Sequence, residues 1–250
     1  MQHFHQMPLL FWGMASLAAL CIGLTKAGFS GCGLIAVLLM AEIMPAKEST
    51  GAVLPMLIAA DLMAIGVYRK HVNWRIIRGL LPTTCVGLLT GWFMMSRIPD
   101  HLFSHVMGWM ILAMMGIVFW QRVDRRILSE IMHHPVLGTI SGFAAGITTM
   151  MANAGGPAMT FYLLAKNFDK MAFVGTCAWF FFLTNLTKVP LSWNLGLIST
   201  SSLKLNLMLF PALVAGMVLG RFLLGKIPQA SFDWLLLVMS TLVALRMIVA

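Results

Sequence analysis

The chain alternates long apolar blocks with short polar stretches. Apolar spans fall at about 7–24, 31–44, 50–68, 77–95, 101–120, 135–152, 157–165, 171–190, 203–224 and 230–249. About 20 residues are needed to cross the hydrocarbon core of a bilayer as a helix. Most of the spans approach that length, whereas 31–44 and 157–165 fall short of it. Each short segment follows a glycine-rich break. Such segments are half-helices of re-entrant hairpins or short tilted crossings. The expected fold is all-α: a polytopic membrane protein of about 8 to 10 helical segments, some of them broken or re-entrant.

The blocks repeat. Gly51 matches Gly175 and Asp61 matches Asn185 at one offset. Pro82, Gly87, Gly91, Pro99 and Phe103 match Pro211, Gly216, Gly220, Pro228 and Phe232 at a second. Five matches at one offset argue for duplication, with repeats at 1–124 and 125–250 forming one membrane domain. Each half carries a GxxxG, Gly87 to Gly91 and Gly216 to Gly220, which lets helix backbones approach closely, inside the chain or in a homodimer.

Charge bears on how the halves are related. The loop 69–78 carries Arg69, Lys70, Arg75 and Arg78, while its counterpart near 191–204 carries only Lys204. The loop at Arg97 has one base, and its counterpart has Arg221 and Lys226. The bias therefore swaps between halves. Placing 69–78 and 121–134 (with Arg122, Arg125 and Arg126) inside satisfies the positive-inside rule. The repeat is then inverted if each short segment completes a crossing, and re-entrant segments require the parity to be recounted.

Composition narrows the function classes. The 250 residues are 60% hydrophobic and 10% charged, against about 25% charged in soluble domains. No polar stretch is long enough for a soluble domain. The net charge of +9 comes from bases in short loops, so membrane topology explains it and no basic face invites nucleic acid. Cys21, Cys32, Cys85 and Cys177 lie in apolar segments without a CxxC pair, and read as small buried hydrophobes. The first span, with no Lys or Arg before it and more spans after, reads as retained. His101 and His105 have the spacing of metal ligands, but capping and interface placement suit them better. Trp74, Trp92, Trp109, Trp120, Trp193 and Trp234 mostly sit near span ends, as an interfacial belt does. There is no phosphate-cradling loop, HExxH or nucleophile elbow, so neither an ATP-driven pump nor a familiar intramembrane protease is indicated, and no cofactor or metal is expected.

The candidate chemistry sits in the two breaks. The first is Gly23-Leu-Thr-Lys-Ala-Gly-Phe-Ser-Gly-Cys-Gly33, four glycines in eleven residues around Lys26. A charge at bilayer depth costs about 2.5–3.5 kcal/mol on insertion scales. Lys26 either snorkels to a nearby interface or contacts an anion. Backbone N–H groups at Gly28, Ser30, Gly31 and Gly33, with a helix start near Leu34, favour a small oxyanion. The second break is Asn153-Ala-Gly-Gly-Pro157, where Gly155 and Gly156 expose N–H groups and Pro157 suits a first helical turn. Paired breaks of this kind point to a midplane site. Asp61 lies deep in its span and is the coupling candidate, for a proton, or it pairs with Lys26. Its repeat partner in the second half is Asn185, with Thr184 next to it in sequence. Lys188 either marks the end of its span at Pro190 or helps to attract anions.

Together these stretches resemble one family. Gly23 to Gly33 is similar to the G-x-S/T-K-x-G-F-x-G-x-G signature of the sulfite exporter TauE/SafE permeases. Asn153 to Pro157, followed by Tyr162-Leu-Leu164, resembles that family's GGP and YLL pattern. Gly175-Thr176, Phe180 to Phe182, Asn185 and Lys188-Val-Pro190 resemble its following segment. Cys32 departs from the pattern, where many relatives carry glycine. The resemblance implies a bacterial inner-membrane, two-repeat secondary transporter of sulfite, sulfoacetate or other organosulfonates; the coupling ion, a proton or sodium, stays open. A passive anion channel or uniporter on the same scaffold is the alternative. A membrane enzyme is a weaker one, because no acid, base and nucleophile converge.

Overall fold

The structure, a computed structural model, describes residues 8–29, 32–123, 136–165, 170–223 and 248. Among these residues it is entirely helical. The helices are α1 (Leu9–Lys26), α2 (Cys32–Ile43), α3 (Ala46–Ala52), α4 (Leu54–Tyr68), α5 (Trp74–Arg97), α6 (Asp100–Val123), α7 (Val136–Ala152), α8 (Gly156–Ala165), α9 (Lys170–Asn194) and α10 (Thr200–Leu223), with a 3-10 turn at Arg69–His71. Among the described residues, five stretches are long and apolar enough to cross a membrane: α1, α3 with α4, α5, α9 and α10. The protein is a polytopic, multi-pass membrane protein. The expected loop at 121–134 and the expected span at 230–249 fall almost wholly outside the described residues.

Helices α3 and α4 are one bent element. Val53 between them keeps helical angles, and Pro55 takes the first turn of α4, where its missing N–H costs nothing. Pro190 does not end its span. Helix α9 runs through it to Asn194, just as α5 and α10 run through Pro82 and Pro211. Membrane helices accept such prolines because neighbouring groups re-satisfy the freed carbonyl.

The two short segments are re-entrant. Helix α2 has 12 residues, about 18 Å at 1.5 Å per residue, and α8 has 10, about 15 Å. Neither reaches across a core of about 30 Å. Each folds back along the helix before it. Gly33 lies against the Thr25 side chain in the first hairpin, and in the second Gly155 lies against Ala145 and Thr149, and Gly138 against Tyr162. Each tip is turned by one left-handed residue, Gly28 (φ 122°) in the first and Asn153 (φ 50°) in the second. In both, the next N–H reaches back into the preceding helix, from Phe29 to Leu24 O and from Ala154 to Thr148 O, each at 3.1 Å.

Packing orients the hairpins. Helices α4 and α9 run antiparallel: Gly51 abuts Leu197 at one end, and Gly175 abuts the Tyr68 and His71 carbonyls at the other. The second end carries exposed Arg69, Lys70 and Arg75 and is the basic end. Lys47 donates to Ile98 O at 3.0 Å and pairs with Asp100 at 2.9 Å, so the start of α3 lies level with the α5–α6 turn at the opposite end. The first hairpin leads into α3 and opens at that end. The second leads into α9 and opens at the basic end. Between them in the chain lie α3 with α4, α5 and α6.

The halves interlock. Helix α5 packs on α7, with Gly87 against Phe143 O and Gly146, and Gly91 against Met150. Helix α10 packs on α1, with Gly216 against Leu20 O and Gly220 against Ala27. At Gly87 and Gly216 a Cβ would overlap backbone of the opposing helix. Both GxxxG faces are thus used inside the chain. Large apolar side chains such as Leu89, Phe93, Leu207 and Phe222 remain exposed on α5 and α10, as a lipid-facing surface requires.

Candidate functional site

The two hairpin tips pass each other beside the α4–α9 pair. The tip of the first is anchored at Asp61, midway along α4. Asp61 is fully buried, and Lys26 Nζ lies 2.6 Å from its Oδ1. Asn185 Nδ2 donates to Asp61 Oδ2 at 2.8 Å. Asp61 and Asn185 are the pair matched by the internal repeat. They meet because the antiparallel helices carrying them cross at equivalent points. Lys26 also lies over the Phe181 ring, 4.7 Å from its centroid. Lys26 therefore does not snorkel to an interface.

The tip of the second hairpin is anchored on α9. Lys188 is 1% exposed, so burial excludes the span-end position. Its ammonium donates to Thr149 O at 2.6 Å and to Asn153 Oδ1 at 2.5 Å. Thr149 lies in the last turn of α7, at the negative end of the helix dipole, so a cation is well placed; its carbonyl also accepts from Asn153 N at 3.1 Å. Asn153 Nδ2 in turn donates to Thr50 O on α3 at 2.9 Å. Asn153 thus tolerates a left-handed backbone, accepts from Lys188 and ties the tip to the first half.

Two cavities flank this cluster, each of about 50 Å³. A water needs about 10–15 Å³ on this measure, so each takes a few waters or one small anion. The first lies away from the basic end, with Val53, Leu57 of α4, Gly33 and Asn153 in its wall. The second lies toward the basic end, with Ala64, Gly28, Thr160 and Cys177 in its wall. Thr25, Lys26, Gly156 and Phe181 belong to both. The first turns of α2 and α8 border the first cavity through Gly33, Gly156 and Pro157, which brings two positive dipole ends to it.

The electrostatics follow from a count. Two ammonium groups, Lys26 and Lys188, face the single carboxylate of Asp61, the only buried acid among the described residues. With these groups ionised the cluster carries one uncompensated positive charge in a low-dielectric setting. A monovalent anion would balance it. No group of three or more His, Cys, Asp or Glu side chains among the described residues could hold a metal.

The structure gathers Lys26, Gly33, Asn153, Gly156 and Asn185 around the first cavity and places Gly28 at the second. Lys188 stands behind Asn153. Gly155 is spent on turn packing. Thr184 donates to Phe180 O at 2.7 Å, within its own helix. Ser30 and Gly31 lie outside the described residues. Phe181 and Thr25 were not among the expected ligands. Phe181 had a legible signal: it precedes Asn185 by one helical turn on the same face.

Neither a curated protein nor a solved structure matches the chain. A family model described as "Sulfite exporter TauE/SafE" matches residues 15–247. With two re-entrant hairpins meeting at a buried, cation-rich cluster and a match over nearly its whole length, the chain belongs to the sulfite exporter TauE/SafE family.

Proposed function

We propose that the protein is a secondary transporter, not an enzyme, that moves a small sulfur-containing oxyanion such as sulfite or a short organosulfonate by alternating access. The observation that carries this reading is the pairing of two lysines, Lys26 and Lys188, with one buried carboxyl group, Asp61, between the hairpin tips. The two repeats, 1–124 and 125–250, rock about the α4–α9 crossing and expose the site to each side in turn. The setting is a bacterial inner membrane.

Lys26, the backbone around Gly28 to Gly33, Asn153, Gly156 and Asn185 form the anion site. Asp61 is the coupling group. While ionised it holds Lys26. A proton on Asp61 cancels that ion pair and frees the ammonium for the substrate. Proton and anion then occupy the site together, which couples their movement.

Thermal stability of the purified protein against sulfite, sulfate, sulfoacetate, taurine, isethionate and acetate tests the site. A ligand at a hundred times its dissociation constant stabilises the folded state by about 2.7 kcal/mol. Stabilisation by a sulfur oxyanion, lost in Lys26→Ala, is the expected result. Flux in proteoliposomes then tests coupling. A pH gradient should drive uptake in wild type and fail to do so in Asp61→Asn. Flux that follows only the anion's own gradient would identify a uniporter or channel instead.

A further inference from the structure

The two cavities lie in series, one on each side of the Lys26–Phe181 contact. The first is bordered by Val53 and Leu57, in the part of α4 nearest Gly51 and Leu197. The second is bordered by Ala64 and Cys177, near the Tyr68–Gly175 contact at the basic end. The groups they share are Thr25, Lys26, Gly156 and Phe181. Of these, Phe181 has the only large apolar side chain, and its ring is held under the Lys26 ammonium at 4.7 Å. Gly156 has no side chain, and Thr25 spends its hydroxyl on Cys21 O at 2.8 Å.

We propose that Phe181 is the septum between two anion vestibules and that Lys26 is the ligand common to both. The basic-end vestibule, with Gly28, Thr160 and Cys177 in its wall, is then a second half-site for the same oxyanion. This rests on the transport reading above. Passage needs two events at one place. The ring must leave the shared wall, and the ammonium must turn with the anion from one vestibule to the other. The cation–π contact ties these together, because a ring that moves away loses its partner and an ammonium that pairs with an anion releases the ring.

Cys177 reports on the septum without any substrate. The protein carrying Cys21→Ala, Cys32→Ala and Cys85→Ala keeps Cys177 as its single thiol. It is treated with a small membrane-impermeant methanethiosulfonate in vesicles of each orientation. Labelling from the basic side only is expected, and Phe181→Ala should then admit the reagent from both sides. Phe181→Leu, which keeps more bulk, repeats the comparison should the alanine variant not fold. Labelling of the parent from both sides, from neither, or only from the far side overturns the proposal, as does labelling that stays one-sided in the variants. If no sulfur anion stabilises the protein, the transport reading fails while the labelling result still decides the septum.

Discussion

The two hairpins share a shape and differ in chemistry. Each enters from one end, turns at a single left-handed residue and stops beside the α4–α9 pair. The first tip brings a cation, Lys26, to a carboxylate on the long helix of its own half. The second brings a neutral amide, Asn153, to a cation on the long helix of its own half. Equal ion pairs in both halves would have left the site neutral. With both lysines protonated, the asymmetry leaves one positive charge over.

The largest effect should come from the ion pair. Lys26→Ala leaves Asp61 buried without its cation, which costs about 3–5 kcal/mol and should abolish anion flux. Lys26→Met combined with Asp61→Leu should restore most of the lost stability, measured by thermal denaturation in detergent, yet no transport. Recovery of flux in the double variant would show that the charge is dispensable. Next is the second tip. Lys188→Met removes charged hydrogen bonds to Thr149 O and Asn153 Oδ1, at about 1.5–3 kcal/mol each. It should also weaken anion binding by cancelling the excess charge, read as a smaller ligand-induced thermal shift. If binding is unchanged, the two tips are not electrically coupled.

The helix crossings test the shared shape. Gly87→Ala and Gly216→Ala should each destabilise by about 1–3 kcal/mol, because the new Cβ meets backbone and neither helix can yield locally. Similar losses at both positions are expected of equivalent contacts, and a large difference would mark one half as the looser. The smallest effect should be at Lys47. Its pair with Asp100 joins a partly exposed ammonium to a carboxylate that is 78% exposed, so Lys47→Ala should change stability by no more than about 1 kcal/mol. It serves as the baseline for the buried variants.

Much of this was legible in the chain. Apolar block length announces crossings, because a bilayer forces every backbone polar group into a helix. The short blocks after glycine breaks marked the hairpins, and the matched Asp61 and Asn185 marked the place where the halves meet. Lys188 was read less well. Pro190 beside it looked like a helix end, since local propensity makes proline a stop signal, and neighbouring packing overrode that signal. Phe181 went unchosen as a site residue because its one signal, a place one helical turn before Asn185, does not separate a cavity wall from a core.

Membrane class and the matched positions Asp61 and Asn185 follow from the chain alone, since each depends on composition or on spacing along it. Which groups meet does not. That Lys26 faces Asp61, that Lys188 faces the end of α7, and that both hairpins turn back are consequences of how α4 and α9 cross. Segments of 12 and 10 residues are compatible with tilted crossings until a neighbour is seen to lie along them. The charge balance of the site is a property of three residues far apart in sequence, and it exists only once packing has removed them from water together.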